Sequence, residues 1–192
     1  MSNVSEAQIR TVQKYSALAR GLCSVLLVML MISSLLVVSM VVNGPGPGGA
    51  KITIGRFVLS ASDLDSVRLK IWLLFMIGTG VAISAGIIYL LRRVFDNMAH
   101  AEIFSADNVR HIRRIGLLIL AVGVLQLVMP VLDAILLADS AFDDHSLTIS
   151  FPAALVPFLA AGFIYLVSWI MQVGLGVTTE AAELRRDAEL VV

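Results

Sequence analysis

Along the chain, long apolar runs alternate with short polar stretches. Four runs stand out, at 21–42, 71–91, 115–137 and 153–176. Each supplies about the 20 apolar residues needed to cross about 30 Å of hydrocarbon at roughly 1.5 Å per residue. None contains Lys, Arg or Glu, and Asp133 is their one carboxylate. The pattern predicts an all-α membrane protein, a bundle of four transmembrane helices forming a single domain over 1–192. The remaining segments are then two tails (1–20 and 177–192), two outer loops (43–70 and 138–152) and a turn (92–114). The first run is too long for the apolar core of a secretory signal, about 7–15 residues, and reads as an uncleaved span.

The loops carry their own patterns. Asn43-Gly-Pro-Gly-Pro-Gly-Gly49 breaks the first helix. Lys51-Ile-Thr-Ile-Gly-Arg-Phe-Val-Leu59 is β-branched and aromatic, and reads as a short strand. Leu147-Thr-Ile-Ser-Phe151 has similar character. Neither is stable alone, so the two are expected to pair as a small extracytoplasmic β-strand cap; two separate loops are the alternative. In the turn, Ser105 reads as an N-cap with Asp107 in the first helical turn. Phe104 and Val109 have the spacing of a hydrophobic staple.

Composition agrees with burial in lipid. The chain is 58% hydrophobic and only 15% charged, against about 25% charged in ordinary soluble domains. Net charge is zero, so the placement of the charges decides orientation. Arg10, Lys14, Arg20, Arg92, Arg93, Arg110, Arg113, Arg114, Arg185 and Arg186 lie on one side of the predicted spans. Lys51, Arg56, Arg68 and Lys70 lie on the other. The positive-inside rule then puts both termini in the cytoplasm. Arg92, Arg93, Arg110, Arg113 and Arg114 are the strongest charge feature. They read as a topology signal touching anionic headgroups, or as a docking face for an acidic cytosolic partner.

Inside the spans, polar and small residues are informative. Gly78, Ala82 and Gly86 recur every four residues and predict a helix-packing face. Pro130 removes one backbone bond and predicts a kink in the third helix. Gln126 falls near mid-membrane, about 17 Å from Ile115 at 1.5 Å per residue. Ser33, Ser34 and Thr79 lie at comparable depth and are the expected partners of its amide. These four form either interhelical glue or a small polar site. Asp133 is expected near the outer interface, where ionisation costs little.

Chemistry of the usual kinds is not signalled. One cysteine, Cys23, excludes an internal disulfide framework and reads as a small buried hydrophobe. His100, Glu102, Asp107 and His111 gather in the turn without the spacing of a metal shell. No P-loop, H-E-x-x-H or G-x-S-x-G occurs. No catalytic residue, metal or cofactor is expected, and the chain is read as a non-enzyme.

Ala101-Glu-Ile-Phe-Ser-Ala-Asp-Asn-Val-Arg-His-Ile-Arg-Arg-Ile-Gly116, set between two spans, resembles a bacterial membrane family catalogued as domain of unknown function 2975. Its members look like G-x-I-F-…-N-…-R-I-G at this place. The tail Glu183-Leu-Arg-Arg-Asp-Ala-Glu-Leu-Val-Val192 is similar to the family's charged terminus. The likeness runs from about residue 15 to the end. Ala101 departs from the usual Gly. The resemblance implies four spans in a bacterial cytoplasmic membrane and supplies no reaction. Members are often encoded beside a small helix-turn-helix regulator, which implies a regulatory pairing.

Two functional expectations follow. The first is a membrane protein that holds a cytosolic regulator through Glu102, Asn108, Arg110, Arg113, Arg114 and its C-terminal tail. The second is a small transporter, channel or lipid-handling subunit built on the mid-membrane polar residues. Expected partners are membrane lipids, that regulator and a second copy of the chain, with no direct nucleic-acid contact.

Overall fold

The computed structural model describes residues 2–43, 52–54, 57–59, 67–100, 105–137 and 151–190. The order is α1 (Ser2–Asn43), β1 (Ile52–Ile54), β2 (Phe57–Leu59), α2 (Val67–Ala99), α3 (Ala106–Leu137) and α4 (Phe151–Leu190). Each helix contains a stretch long and apolar enough to cross a membrane. At 42 residues, α1 is about 63 Å long at 1.5 Å per residue, twice the hydrocarbon thickness. The expected 1–20 tail is therefore helical from Ser2 on. No Gly or Pro interrupts it before Gly21, and Glu6, Ala7, Arg10, Lys14 and Ala17 all favour helix. At the far end, α4 carries its helix through the Glu- and Arg-rich tail to Leu190.

The four helices run alternately up and down. Arg20 on α1 meets Asp96 near the end of α2. Trp72 at the start of α2 meets Asp133 at the end of α3. Val109 at the start of α3 meets Ser168 far along α4. Substantial packing links α1 to α2, α2 to α3 and α3 to α4, and α1 does not close onto α4. The expected bundle is thus an open array in chain order. The outward faces stay apolar: Leu35 is 71% exposed and Phe163 68%. In water such faces would cost about 25 cal/mol per Å²; in lipid they cost nothing.

The seam between α3 and α4 is closely packed. Val109, Gly116 and Gly123 are buried on α3 at seven-residue intervals. Pro157, Ala161, Ser168 and Met171 answer them on α4. A seven-residue repeat keeps one seam facing its partner along two supercoiled helices. Glycine permits the close approach. A Cβ at Gly123 would stand 3.0 Å from the Phe158 ring, and one at Gly116 3.2 Å from Ile164 and Tyr165. Pro130 lies inside α3, which continues past it to Leu137, and a second internal proline, Pro157, sits in α4.

The predicted packing face of α2 is corrected. A Cβ added at Gly78 would meet nothing within 4 Å, and Gly78, like Ala82, faces outward. Only Gly86 meets a neighbour, Leu118, at 3.3 Å. Small spacing alone did not identify the seam, because the seam is set by which face meets a bulky partner. The strand expectation also changes. β1 pairs antiparallel with β2, with Ile52 opposite Leu59, Thr53 opposite Val58 and Ile54 opposite Phe57. The segment read as one strand is therefore a hairpin with its own partner. Residues 147–150 lie outside the described residues, and Phe151 belongs to α4.

Candidate functional site

The seam between α2 and α3 is built differently from the seam between α3 and α4. Its two ends are tied by polar side chains. At one end, the Trp72 indole donates to Asp133 Oδ1 at 2.7 Å, and Trp72 stacks on Phe75 with centroids 5.7 Å apart. Asp133 is therefore not merely solvated near an interface, as expected from its depth, but part-buried and bonded across the seam. At the other end, Asn97 Nδ2 donates to Asn108 Oδ1 at 2.8 Å. Ser105 caps α3 by accepting the Asn108 amide at 3.2 Å, which satisfies one of the orphan donors of the first turn. Phe104, the other half of the expected staple, lies outside the described residues.

Between these ends the seam is hollow. The buried positions of α2 are Leu69, Leu73, Leu90 and Val94, with none from 74 to 89. A cleft of about 450 Å³ occupies that gap, walled by α2 and α3 alone. Leu73, Met76, Ile83, Val122, Leu125 and Met129 supply much of its apolar wall, and Thr79, Ser84, Gln126 and Asp133 its polar points. It spans about 16 Å of α2 from Leu73 to Ser84 at 1.5 Å per residue. Neither α1 nor α4 covers it, so in a bilayer it opens to lipid. Its volume falls in the range of about 300–1,000 Å³ typical of small-molecule sites, which are mostly apolar with a few placed polar groups.

Of the four mid-membrane polar residues, the fold unites two. Gln126 and Thr79 share this cleft. Ser33 and Ser34 do not reach it: each hydroxyl donates within α1, to the Leu30 and Met31 carbonyls. The expected amide–hydroxyl bonding is absent, and among the described residues Gln126 makes no hydrogen bond while its side chain stays exposed to the cleft. Pro130, one turn on, also lines the cleft and leaves the Gln126 carbonyl without its helical donor. Ser84 and Trp72 were not singled out from the sequence. A Trp at one helix start and an Asp at another helix end, both at one membrane level, are the signal that would have found the pair.

The arginine-rich end is more dispersed. Arg92, Arg93, Arg110, Arg113 and Arg114 are all exposed. Arg93 donates to the Tyr89 hydroxyl at 3.0 and 3.2 Å and lies over its ring. Arg110 lies 3.7 Å from Asp107, and Arg113 donates to Gln172 on α4 at 3.2 Å. A smaller hollow of about 240 Å³ separates α3 from α4 here, lined by Ala106, Val109, Arg110, Arg113, Gln172 and Leu175. Asn108 is corrected as a partner contact: it is 0% exposed and bonded to Asn97, so it holds α3 to α2 and offers nothing outward. Glu102 lies outside the described residues. His100 and His111 each donate from Nδ1 to a carbonyl four residues back, on Asp96 and Asp107. Among the described residues no group of three His, Cys, Asp or Glu could hold a metal ion.

Four membrane-length helices, with a lateral cleft between α2 and α3, define a multi-pass α-helical membrane protein. Within that class, the chain belongs to the family described as protein of unknown function DUF2975, which it matches over residues 9–192. No curated protein and no solved structure is significantly similar to it.

Proposed function

We propose that this is a non-enzymatic protein of a bacterial cytoplasmic membrane that takes a membrane-borne small molecule into the cleft between α2 and α3. The observation that carries this reading is Gln126. Its amide sits midway along α3, exposed to the cleft and without a hydrogen bond among the described residues. An unbonded amide in hydrocarbon costs about 2–7 kcal/mol. Packing glue would have bonded it; a site for a polar-substituted ligand leaves it available. The lining offers hydrogen bonds and apolar contact, and no nucleophile beside a base.

Gly80 gives the test. It lines the cleft, and a Cβ there meets nothing within 4 Å. Gly80→Leu puts side-chain volume into the cleft from a position where the Cβ meets nothing within 4 Å and improves helix propensity by up to about 1 kcal/mol. Mass spectrometry of molecules retained through purification should find a species bound to wild type and lost from Gly80→Leu, with unfolding midpoint unchanged or raised. An identical retained set in both proteins sinks the reading.

A second reading uses the arginine-rich end, which the positive-inside bias places in the cytoplasm with both termini. The hollow beside Arg110 and Arg113 favours it, since it presents two guanidinium groups and Gln172 around one recess. An acidic cytosolic regulator would dock there. Arg110→Glu with Arg113→Glu should then abolish co-purification of that partner, and unchanged recovery removes it.

A further inference from the structure

We propose that the α1 edge of one copy packs against the α4 edge of a second copy, so that the chain assembles head to tail in the membrane. This goes beyond the cleft reading and does not rest on it. The array is open: α1 packs on α2 and α4 on α3, and α1 does not close onto α4. Each edge helix keeps an outward stripe. On α1, Tyr15, Leu18, Leu22, Val25 and Met29 alternate spacings of three and four, and each is more than half exposed. On α4, Leu159, Phe163, Leu166, Ile170 and Val173 do the same. That spacing is the seam pattern of paired helices.

Within hydrocarbon, lipid covers such faces, and the stripes alone ask for no partner. Their continuation does. Arg20 bonds Asp96, Asn97 bonds Asn108, and Ser168 bonds the Val109 carbonyl. These bonds set Arg20 and Ser168 at one level, at the arginine-rich end. α2 ends at Ala99 and α3 begins at Ala106, each within about a turn of that level. Past it, α1 runs on for about 27 Å to Ser2 and α4 for about 33 Å to Leu190, at 1.5 Å per residue. On this part of α4, Val177 is 61% exposed and Leu184 71%, and Leu184 sits among Glu180, Glu183, Arg186 and Asp187. An apolar stripe on so charged a helix lacks lipid to cover it.

Charge and register point to the partner. The α1 extension, 2–20, carries Arg10, Lys14 and Arg20 against Glu6, a net +2. The α4 extension, 177–190, carries Glu180, Glu183, Asp187 and Glu189 against Arg185 and Arg186, a net −2. Two copies inserted the same way would bring like edges together in parallel, with like charges facing. Unlike edges meet antiparallel, with opposite charges facing. With Arg20 level with Ser168, Tyr15 falls opposite Val173, Leu18 opposite Ile170, Leu22 opposite Leu166 and Val25 opposite Phe163, so the two stripes coincide. A contact between unlike faces repeats from copy to copy, closing into a ring or running on as a chain.

The test uses full chains in intact membranes, all carrying Cys23→Ser. One tagged chain has Leu18→Cys, and a differently tagged one has Ile170→Cys. A short thiol crosslinker should join the mixed pair about tenfold more than either variant with itself, because the contact holds the two thiols at high effective concentration. Leu18→Cys mixed with Arg92→Cys, exposed at the same end, gives the collisional background. Glu180→Lys with Glu183→Lys in the α4 chain should lower the yield about threefold, on the scale of exposed ion pairs. Arg10→Glu with Lys14→Glu in the α1 chain should restore it. Mixed yield no higher than background overturns the interface. Equal or greater yield from either variant with itself replaces it by a contact between like edges. Loss without rescue by the charge exchange overturns the charge pairing.

Discussion

The two faces of α3 meet their neighbours in opposite ways. Toward α4, glycines at 116 and 123 sit against Ile164, Tyr165 and the Phe158 ring, where a methyl group would stand 3.0–3.3 Å from its neighbours and require them to shift. Toward α2, Gly80 faces open space, and the seam is held by Trp72–Asp133 at one end and Asn97–Asn108 at the other. Helices in lipid gain no hydrophobic drive toward each other, so association depends on close packing and polar bonds. The α3–α4 seam uses mainly the first. The α2–α3 seam uses mainly the second, and bonds at two points leave the space between them unfilled. A glycine is therefore informative only together with what stands opposite it.

The same substitution at the two seams should break this comparison most sharply. Gly123→Leu drives a side chain into Phe158 and should cost about 1–3 kcal/mol or more, as overpacking does. Unfolding in detergent micelles should show a clear drop in midpoint, whereas Gly80→Leu should show none. Equal drops would mean that the α2–α3 seam is as full as its neighbour. A middle-sized effect is expected from Asn108→Ala. It leaves the part-buried Asn97 amide without its acceptor, at about 1–3 kcal/mol. The smallest effect belongs to Trp72→Phe, which keeps the ring and deletes the bond to Asp133. Interhelical hydrogen bonds in membranes average about 0.6 kcal/mol. A loss beyond about 2 kcal/mol on this scale would make that bond a main support of the fold and not one end of a seam.

Much of the candidate site was legible as residues and not as a place. Gln126 and Thr79 are visible from depth alone, since counting along a helix gives height in the membrane. Ser33 and Ser34 pass the same count and belong elsewhere, because height says nothing of azimuth. Asn108 looked like a surface residue in a charged turn, yet its amide is spent on Asn97. Asp133 looked solvated, yet its partner Trp72 lies 61 residues away. Pairings of that range leave no local trace in one sequence.

By itself the sequence determined that four segments are helical and too apolar for water. It also determined where α3 begins: a Ser hydroxyl ahead of an apolar run caps orphan amides whatever surrounds it. These outcomes depend on one residue, its near neighbours and the solvent. Only the tertiary structure decided that the helices form an open array, that Gly116 and Gly123 are the close contacts in place of Gly78 and Ala82, and that a cleft lies between α2 and α3. Those outcomes depend on which faces meet. That is a property of pairs of helices, fixed by the fit of side chains across a seam and not by the composition of either one.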